Sequence, residues 1–250
     1  MTKDALRTAL GRGQPLSMAW VTLGVPYVVE AMGEAGHDLV LIDQQHGLIG
    51  HAEMVNCLIA AKAAGLPALV RPLTSDAGLI GAALDAGAQG VLCPLVETVA
   101  DVEACVRAAK YPPDGLRSWG PYRGKLVAEG DYTERSKDWT FLSVQLETRA
   151  AIDNLDDILS VKGLDMVLVG PNDLALALTS KRDIRAPEVM EACDLILRKA
   201  REANVFTAIF ANDLDYAKPF AKAGWDVITV GTDMSVLGSA SAVNVESLRD

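Results

Sequence analysis

The sequence predicts a (β/α)8 barrel, and three observations carry that expectation. Its 250 residues are the usual length of one such barrel. Eight short apolar runs alternate with Ala-rich helical stretches, the pattern of βα units around a parallel sheet. Four helical stretches end in Gly just before the next run, in EAGHDLV, AAGLPALV, DAGAQGVL and KAGWDVI, where Gly is the expected residue past a helix C-terminus.

Taken in order, MTKDALRTALGRGQPL reads as a short first helix. The strands are expected at residues 17–24, 38–43, 67–72, 90–96, 141–147, 165–170, 205–211 and 226–231. Their near-continuous apolar character suits strands covered on both faces. Residues 111–140, containing YPPDGLRSWGPYRG, read as one long loop, and long loops in compact domains are often functional. No low-complexity stretch or linker divides the chain, so one domain over residues 1–250 is expected. Periodicity does not show closure, and an open doubly wound sheet stays compatible with the same runs.

Half the residues are hydrophobic, 22% are charged and the net charge is -10. That balance argues against a nucleic-acid partner, which needs a basic surface. No run reaches the ~18 apolar residues of a membrane span. The N-terminus lacks a signal-peptide core, so a cytoplasmic protein without a membrane partner is expected. Cys57, Cys93, Cys105 and Cys193 form no CxxC pair and read as buried thiols.

In a parallel barrel the catalytic groups cluster where strands end and βα loops begin. The polar residues at those ends are Asp43, His46, Arg71, Glu97, Gln145, Glu147, Asp173 and Asp213. Glu147 closes the fifth strand and Asp173 follows the sixth, so their carboxylates can converge. Two such groups repel unless a cation lies between them, and oxygen ligands favour Mg2+, Mn2+ or Co2+. The plainer alternative pairs Glu147 with Arg149 and uses Asp173 as a helix cap. Arg71 suits a carboxylate or an enolate oxygen, or an ion pair with a strand-end acid. His46 is a general acid/base candidate, or a loop histidine without a role. His37 precedes a strand at the opposite end and reads as structural; His51 reads as a helix start. None of the strand runs contains a lysine, which removes Schiff-base chemistry.

The segments LIDQQHG, RPL, ALDAGAQGVLCPLV, YPPDGLRSWGP, VQLETRAAIDNLDDIL and VGPNDLA stand in the order seen in the HpcH/HpaI family of class II 2-oxo acid aldolases. The chain resembles that family from about Trp20 to Gly231. The resemblance implies a metal-dependent aldolase joining pyruvate, or a close relative, to an aldehyde, with Glu147 and Asp173 as metal ligands. It implies that Arg71 holds the pyruvyl unit and its enolate, and that His46 paired with Asp85 handles the proton. It places Asp43, Gln145, Trp20, Gly170, Pro171 and Asn172 around the substrate. It also implies a homo-oligomer, a hexamer built as a trimer of dimers, with the C-terminal helix exchanged between subunits.

One departure is Gln45, in Asp43-Gln44-Gln45-His46, where many members carry Asp-x-Glu-His. With RSWGPYR it resembles the hydroxypyruvate branch, and Gln45 would hydrogen-bond the extra hydroxyl. Two other readings stay open: an oxaloacetate decarboxylase or related C–C lyase on the same metal, and a barrel that binds without catalysing.

Overall fold

The computed structural model describes residues 5–128 and 130–249. Eight strands appear where the apolar runs lie: β1 (Leu16–Val21), β2 (Leu39–Asp43), β3 (Ala68–Arg71), β4 (Gly90–Cys93), β5 (Phe141–Leu146), β6 (Met166–Val169), β7 (Phe206–Ala211) and β8 (Val227–Val230). Around them run α1 (Ala5–Leu10), α2 (Pro26–Glu34), α3 (His51–Ala63), α4 (Ala77–Asp85), α5 (Val99–Ala109), α6 (Gly124–Val127), α7 (Tyr132–Trp139), α8 (Arg149–Asp153), α9 (Leu155–Leu159), α10 (Pro171–Thr179), α11 (Pro187–Ala203), α12 (Leu214–Ala223) and α13 (Asp233–Ser247). Every strand pairs in parallel with its successor, and β8 returns to β1 through Leu16 opposite Val227, so the sheet closes. Among the described residues no helix is long and apolar enough to cross a membrane.

The two-residue side-chain period sorts each strand into two rows. Leu16, Met18 and Trp20 of β1, Leu39 and Leu41 of β2, Leu69 of β3, Phe141 of β5, and Met166 and Leu168 of β6 meet in the interior, with Leu6 and Leu10 of α1 joining them. The intervening Ala19, Val40, Ile42, Val70, Leu142, Val144 and Val167 pack beneath the helices in a separate core. Leu41 and Leu69 are fully buried, and truncating such a residue to Ala costs ~2–5 kcal/mol. The inward rows matter for function: continued along each strand, they run from apolar layers to Asp43 and Arg71 in one step and, past Ser143, to Gln145 in two.

The glycines expected after helices do turn the chain. Gly36, Gly65, Gly87 and Gly224 have φ of +94°, +73°, +96° and +88°. β4 is shorter than its apolar run because Pro94 has no N–H for the ladder and Leu95 turns to φ +54°.

Residues 111–140 differ from expectation, since α6 and α7 lie within them. α7 reads YTERSKDW, and only Tyr132, Ser136 and Trp139 are buried. Three positions on one face were hidden among charges, while Asp131 caps the helix by accepting from the Thr133 N–H. Tyr132 and Trp139 join Tyr111 and Ala128 in a small separate core. His37 accepts or donates to the Ser17 hydroxyl at 2.8 Å, at the N-terminal end of β2, and burial holds its pKa below the usual value.

Candidate active site

The C-terminal mouth of the barrel opens into a cavity of about 210 Å3 lined by Trp20, Thr22, Asp43, His46, Arg71, Gln145, Gly170, Pro171, Asn172, Asp173, Phe210 and Thr232. Its floor is a hydrogen-bonded chain of buried groups. Arg71 is directly opposite Asp43 in the β2–β3 register. Its Nε donates to Asp43 Oδ1 at 2.8 Å, and Nη2 to Oδ2 at 2.6 Å. The Trp20 indole N–H also donates to Asp43 Oδ2, at 3.1 Å, and the guanidinium stacks 4.7 Å above the Trp20 ring. Arg71 Nη1 donates to Gln145 Oε1 at 3.0 Å, and Gln145 Nε2 donates to Glu147 Oε2. The chain thus runs from tryptophan to carboxylate across β1, β2, β3 and β5.

Burial alone would raise the Asp43 pKa, but the hydrogen bonds and charge of Arg71 outweigh it and hold the carboxyl below its ordinary value. Glu147 is the opposite case. It is buried, accepts the Leu95 N–H at Oε1 (3.3 Å), and is pushed up to about 7, first by burial and then by the charge of Asp173. Arg149, the alternative partner for Glu147, instead donates to the Leu178 carbonyl at 3.0 Å. Asp173 is exposed in the first turn of α10, whose N-cap is Gly170. Gly170 lies so close that a Cβ there would come within 2.6 Å of Glu147 Oε2 and Gln145 Nε2.

This donor set suits a hard divalent cation. Two crowded carboxylates supply oxygen, and among the described residues neither forms an ion pair with Lys or Arg. No group of three or more His, Cys, Asp or Glu comes together among the described residues. The two carboxylates would then be the protein's whole contribution to a cation site, the arrangement of magnesium sites that retain several waters.

His46 is exposed at the rim, one turn of loop beyond Asp43, whose Oδ1 accepts the backbone N–H groups of Gln45 and His46 at 3.0 and 3.4 Å. Asp85 is elsewhere. It pairs with Arg117 Nη2 at 2.6 Å, in a groove between α4 and α5, so within one chain it meets Arg117 and not His46. Gln45 does not line the cavity, and its side-chain oxygen is buried without a hydrogen-bond partner. Glu97 and Asp213 also stay outside; Asp213 caps α12 and pairs with Arg185.

Sequence reasoning missed Thr22, Phe210 and Thr232 in the lining, and Asp233 beneath it. Asp233 is 3% exposed. It accepts the Thr22 N–H and hydroxyl and the Leu23 N–H at 2.9, 2.6 and 3.0 Å, tying the end of β1 to the start of α13. Phe210 meets Trp20 edge-to-face with centroids 5.1 Å apart. Its position two residues after Ala208 in the inward row of β7 was the available signal.

A closed parallel (β/α)8 barrel with a buried arginine and two carboxylates over one mouth cavity defines a barrel enzyme acting on small oxyanionic molecules. More particularly, the chain belongs to the HpcH/HpaI aldolase/citrate lyase family, whose profile matches residues 16–240. It is 34% identical over 240 residues to a hydroxypyruvate/pyruvate aldolase of Rhizorhabdus wittichii, covering 95% of this chain and 96% of that one. It is 31% identical over 242 residues to a 4-hydroxy-2-oxo-heptane-1,7-dioate aldolase of Shigella sonnei, covering 96% and 92%. The crystal structure of an HpcH/HpaI aldolase/citrate lyase family protein from Burkholderia cenocepacia superposes over the whole of both chains with a TM-score of 0.92 at 31% identity.

Proposed function

We propose that the chain is a class II aldolase that joins a 2-oxo acid donor, pyruvate or hydroxypyruvate, to an aldehyde and cleaves the product in reverse. The observation carrying this reading is a cavity lined by Arg71 and Asp173, beside which Glu147 lies buried, crowded by the Asp173 charge and linked to Arg71 through Gln145. Glu147 and Asp173 would hold Mg2+, Mn2+ or Co2+, which when bound polarises the donor's keto oxygen and favours its enolate.

The remaining work falls to the chain's own groups. Arg71 has its Nε and one hydrogen on each terminal nitrogen committed to Asp43 and Gln145. Each terminal nitrogen keeps a second N–H, and these address the donor's carboxylate or enolate oxygen. Asp43 and Trp20 fix the guanidinium plane, so that it does not reorganise as charge develops. The N–H groups opening α10 at Asn172 and Asp173 add favourable dipole toward an anionic donor. Among the described residues His46 is the one imidazole lining the cavity. It takes the proton from the donor carbon adjoining the keto group, or returns one to the new alkoxide, as direction requires. Trp20 and Phe210 form an apolar wall against which the aldehyde's chain packs.

Gln45 supports donor choice only indirectly, because it lies outside the lining. The preference for hydroxypyruvate is decided by steady-state comparison of the two donors; equal or better use of pyruvate sinks it. Dependence on the cation is tested by retro-aldol assay. EDTA should abolish cleavage, with Mg2+, Mn2+ or Co2+ restoring it. Glu147→Gln and Asp173→Asn should each lose ~100-fold or more. Full activity in EDTA rules the reading out.

The same proposal extends to assembly. In α13, residues 234–245 carry no charged side chain, yet Met234, Val236, Leu237, Val243 and Val245 are all exposed. A helix of that kind is covered in the working molecule. A second copy of this chain is the occupant that the family's exchanged helix and hexamer point to.

A further inference from the structure

Among the described residues, three that are not glycine have positive φ: Leu95, Ser180 and Asn204. Ser180 and Asn204 are C-caps of α10 and α11, where a left-handed residue ends the helix. Leu95 has no such reason. It lies between β4 and α5, caps neither, and its side chain is 58% exposed, so core packing does not impose the conformation either. Leucine is also poorly suited to it, since its Cβ crowds the following carbonyl.

The backbone contacts around Leu95 show what the conformation achieves. The Ser75 hydroxyl donates to the Pro94 carbonyl at 2.9 Å and anchors the Pro94–Leu95 peptide. Val96, on the other side, is 1% exposed and anchored in the core. The Leu95 N–H belongs to that same trans Pro94–Leu95 peptide, opposite the anchored carbonyl, and points to Glu147 Oε1 at 3.3 Å; the left-handed φ of +54° then turns the following chain so that Val96 still reaches the core. The other oxygen of Glu147 is held by Gln145 Nε2. Each carboxylate oxygen therefore has one protein donor, and each keeps a lone pair for a ligand.

We propose that Leu95 is a positioning residue, whose left-handed backbone lets its N–H stay on Glu147 Oε1 while the chain returns to the core at Val96, and so fixes the carboxylate in the orientation in which it meets a divalent cation. The inference rests on the cation reading of Glu147 but makes a separate claim: the backbone at residue 95 acts, and the leucine side chain does not. Strain persisting at a site where the surroundings over-determine it is a recurrent way of holding such a group.

The test has a metal-free arm and a metal arm. In the metal-free protein, amide hydrogen exchange at Leu95 is compared with that in Glu147→Ala. Loss of the acceptor should speed exchange at residue 95 by ~10-fold; unchanged exchange overturns the proposal whether or not the protein binds a cation. In the second arm, Mn2+ affinity is measured without substrate by electron paramagnetic resonance. Leu95→Gly and Leu95→Asn, which tolerate positive φ, should stay within about threefold of the parent. Leu95→Val, apolar but β-branched, should bind ~10-fold more weakly, with an unchanged circular dichroism spectrum showing that it is folded. Equal affinity in Leu95→Val, or equal weakening in all three variants, overturns the proposal. A parent protein that takes up no Mn2+ contradicts the cation reading instead, and leaves the exchange result to decide whether Leu95 holds Glu147.

Discussion

Arg71 and Asp43 illustrate how much a single strand-end charge can be asked to do. The pair is almost wholly shielded from water, with side-chain exposures of 6% and 1%, and such a pair is stabilising only while both partners remain. Asp43→Ala should cost ~3–5 kcal/mol, read by denaturant unfolding, because it leaves a buried guanidinium uncompensated. The sign of the pH effect follows from the depressed carboxyl. A folded-state pKa below the unfolded one gives stability that is complete above the unfolded value of about 4 and is lost as pH falls through the folded value. The parent's Tm should therefore fall more steeply than that of Asp43→Asn below pH ~4; parallel acid limbs would show that the pair carries no linkage. These two residues were legible in the sequence because a charge closing an apolar run has few uses in a buried barrel strand. Asp85 was harder to place. Its partner, Arg117, is 32 residues away on a connecting segment, and no local pattern reports such a contact.

At the level of elements, the site depends on how tightly α10 abuts the end of β5. Gly170 leaves no room for a side chain, since a Cβ would sit 2.6 Å from Glu147 Oε2. Gly170→Ala should therefore displace the carboxylate by a fraction of an ångström and lower kcat/KM by ~10- to 100-fold, with little change in Tm. Unchanged kcat/KM in a folded variant would show that Glu147 does not need its present place. GPND announced a turn and a helix start, and the resemblance pointed to Gly170; the close approach itself needed the structure. The segment 111–140 shows the converse. Its Pro, Gly and Arg content read as loop, whereas α7 is held through the scattered Tyr132, Ser136 and Trp139, too few apolar positions for a periodic signal.

For the whole molecule, the barrel was written in the alternation of apolar runs and helices, although closure had to be seen in the pairing of β8 with β1. What one chain does not account for is α13, which leaves Leu237 and Val243 about 60% exposed within a stretch, residues 234–245, that carries no charged side chain. Sedimentation of the parent should show an oligomer of this chain, and Leu237→Glu should dissociate it or lower its order; a monomeric parent would contradict the proposed coverage of that helix.

The central claim is that Glu147 and Asp173 jointly hold the cation on which the oxo acid is activated. It is tested most directly by anomalous diffraction at the manganese edge from crystals containing Mn2+ and a 2-oxo acid. The account predicts one strong peak per chain between the two carboxylates, with the oxo acid's carboxylate or keto oxygen within reach of Arg71. A metal-replete crystal with the acid bound and no peak between Glu147 and Asp173 would contradict it.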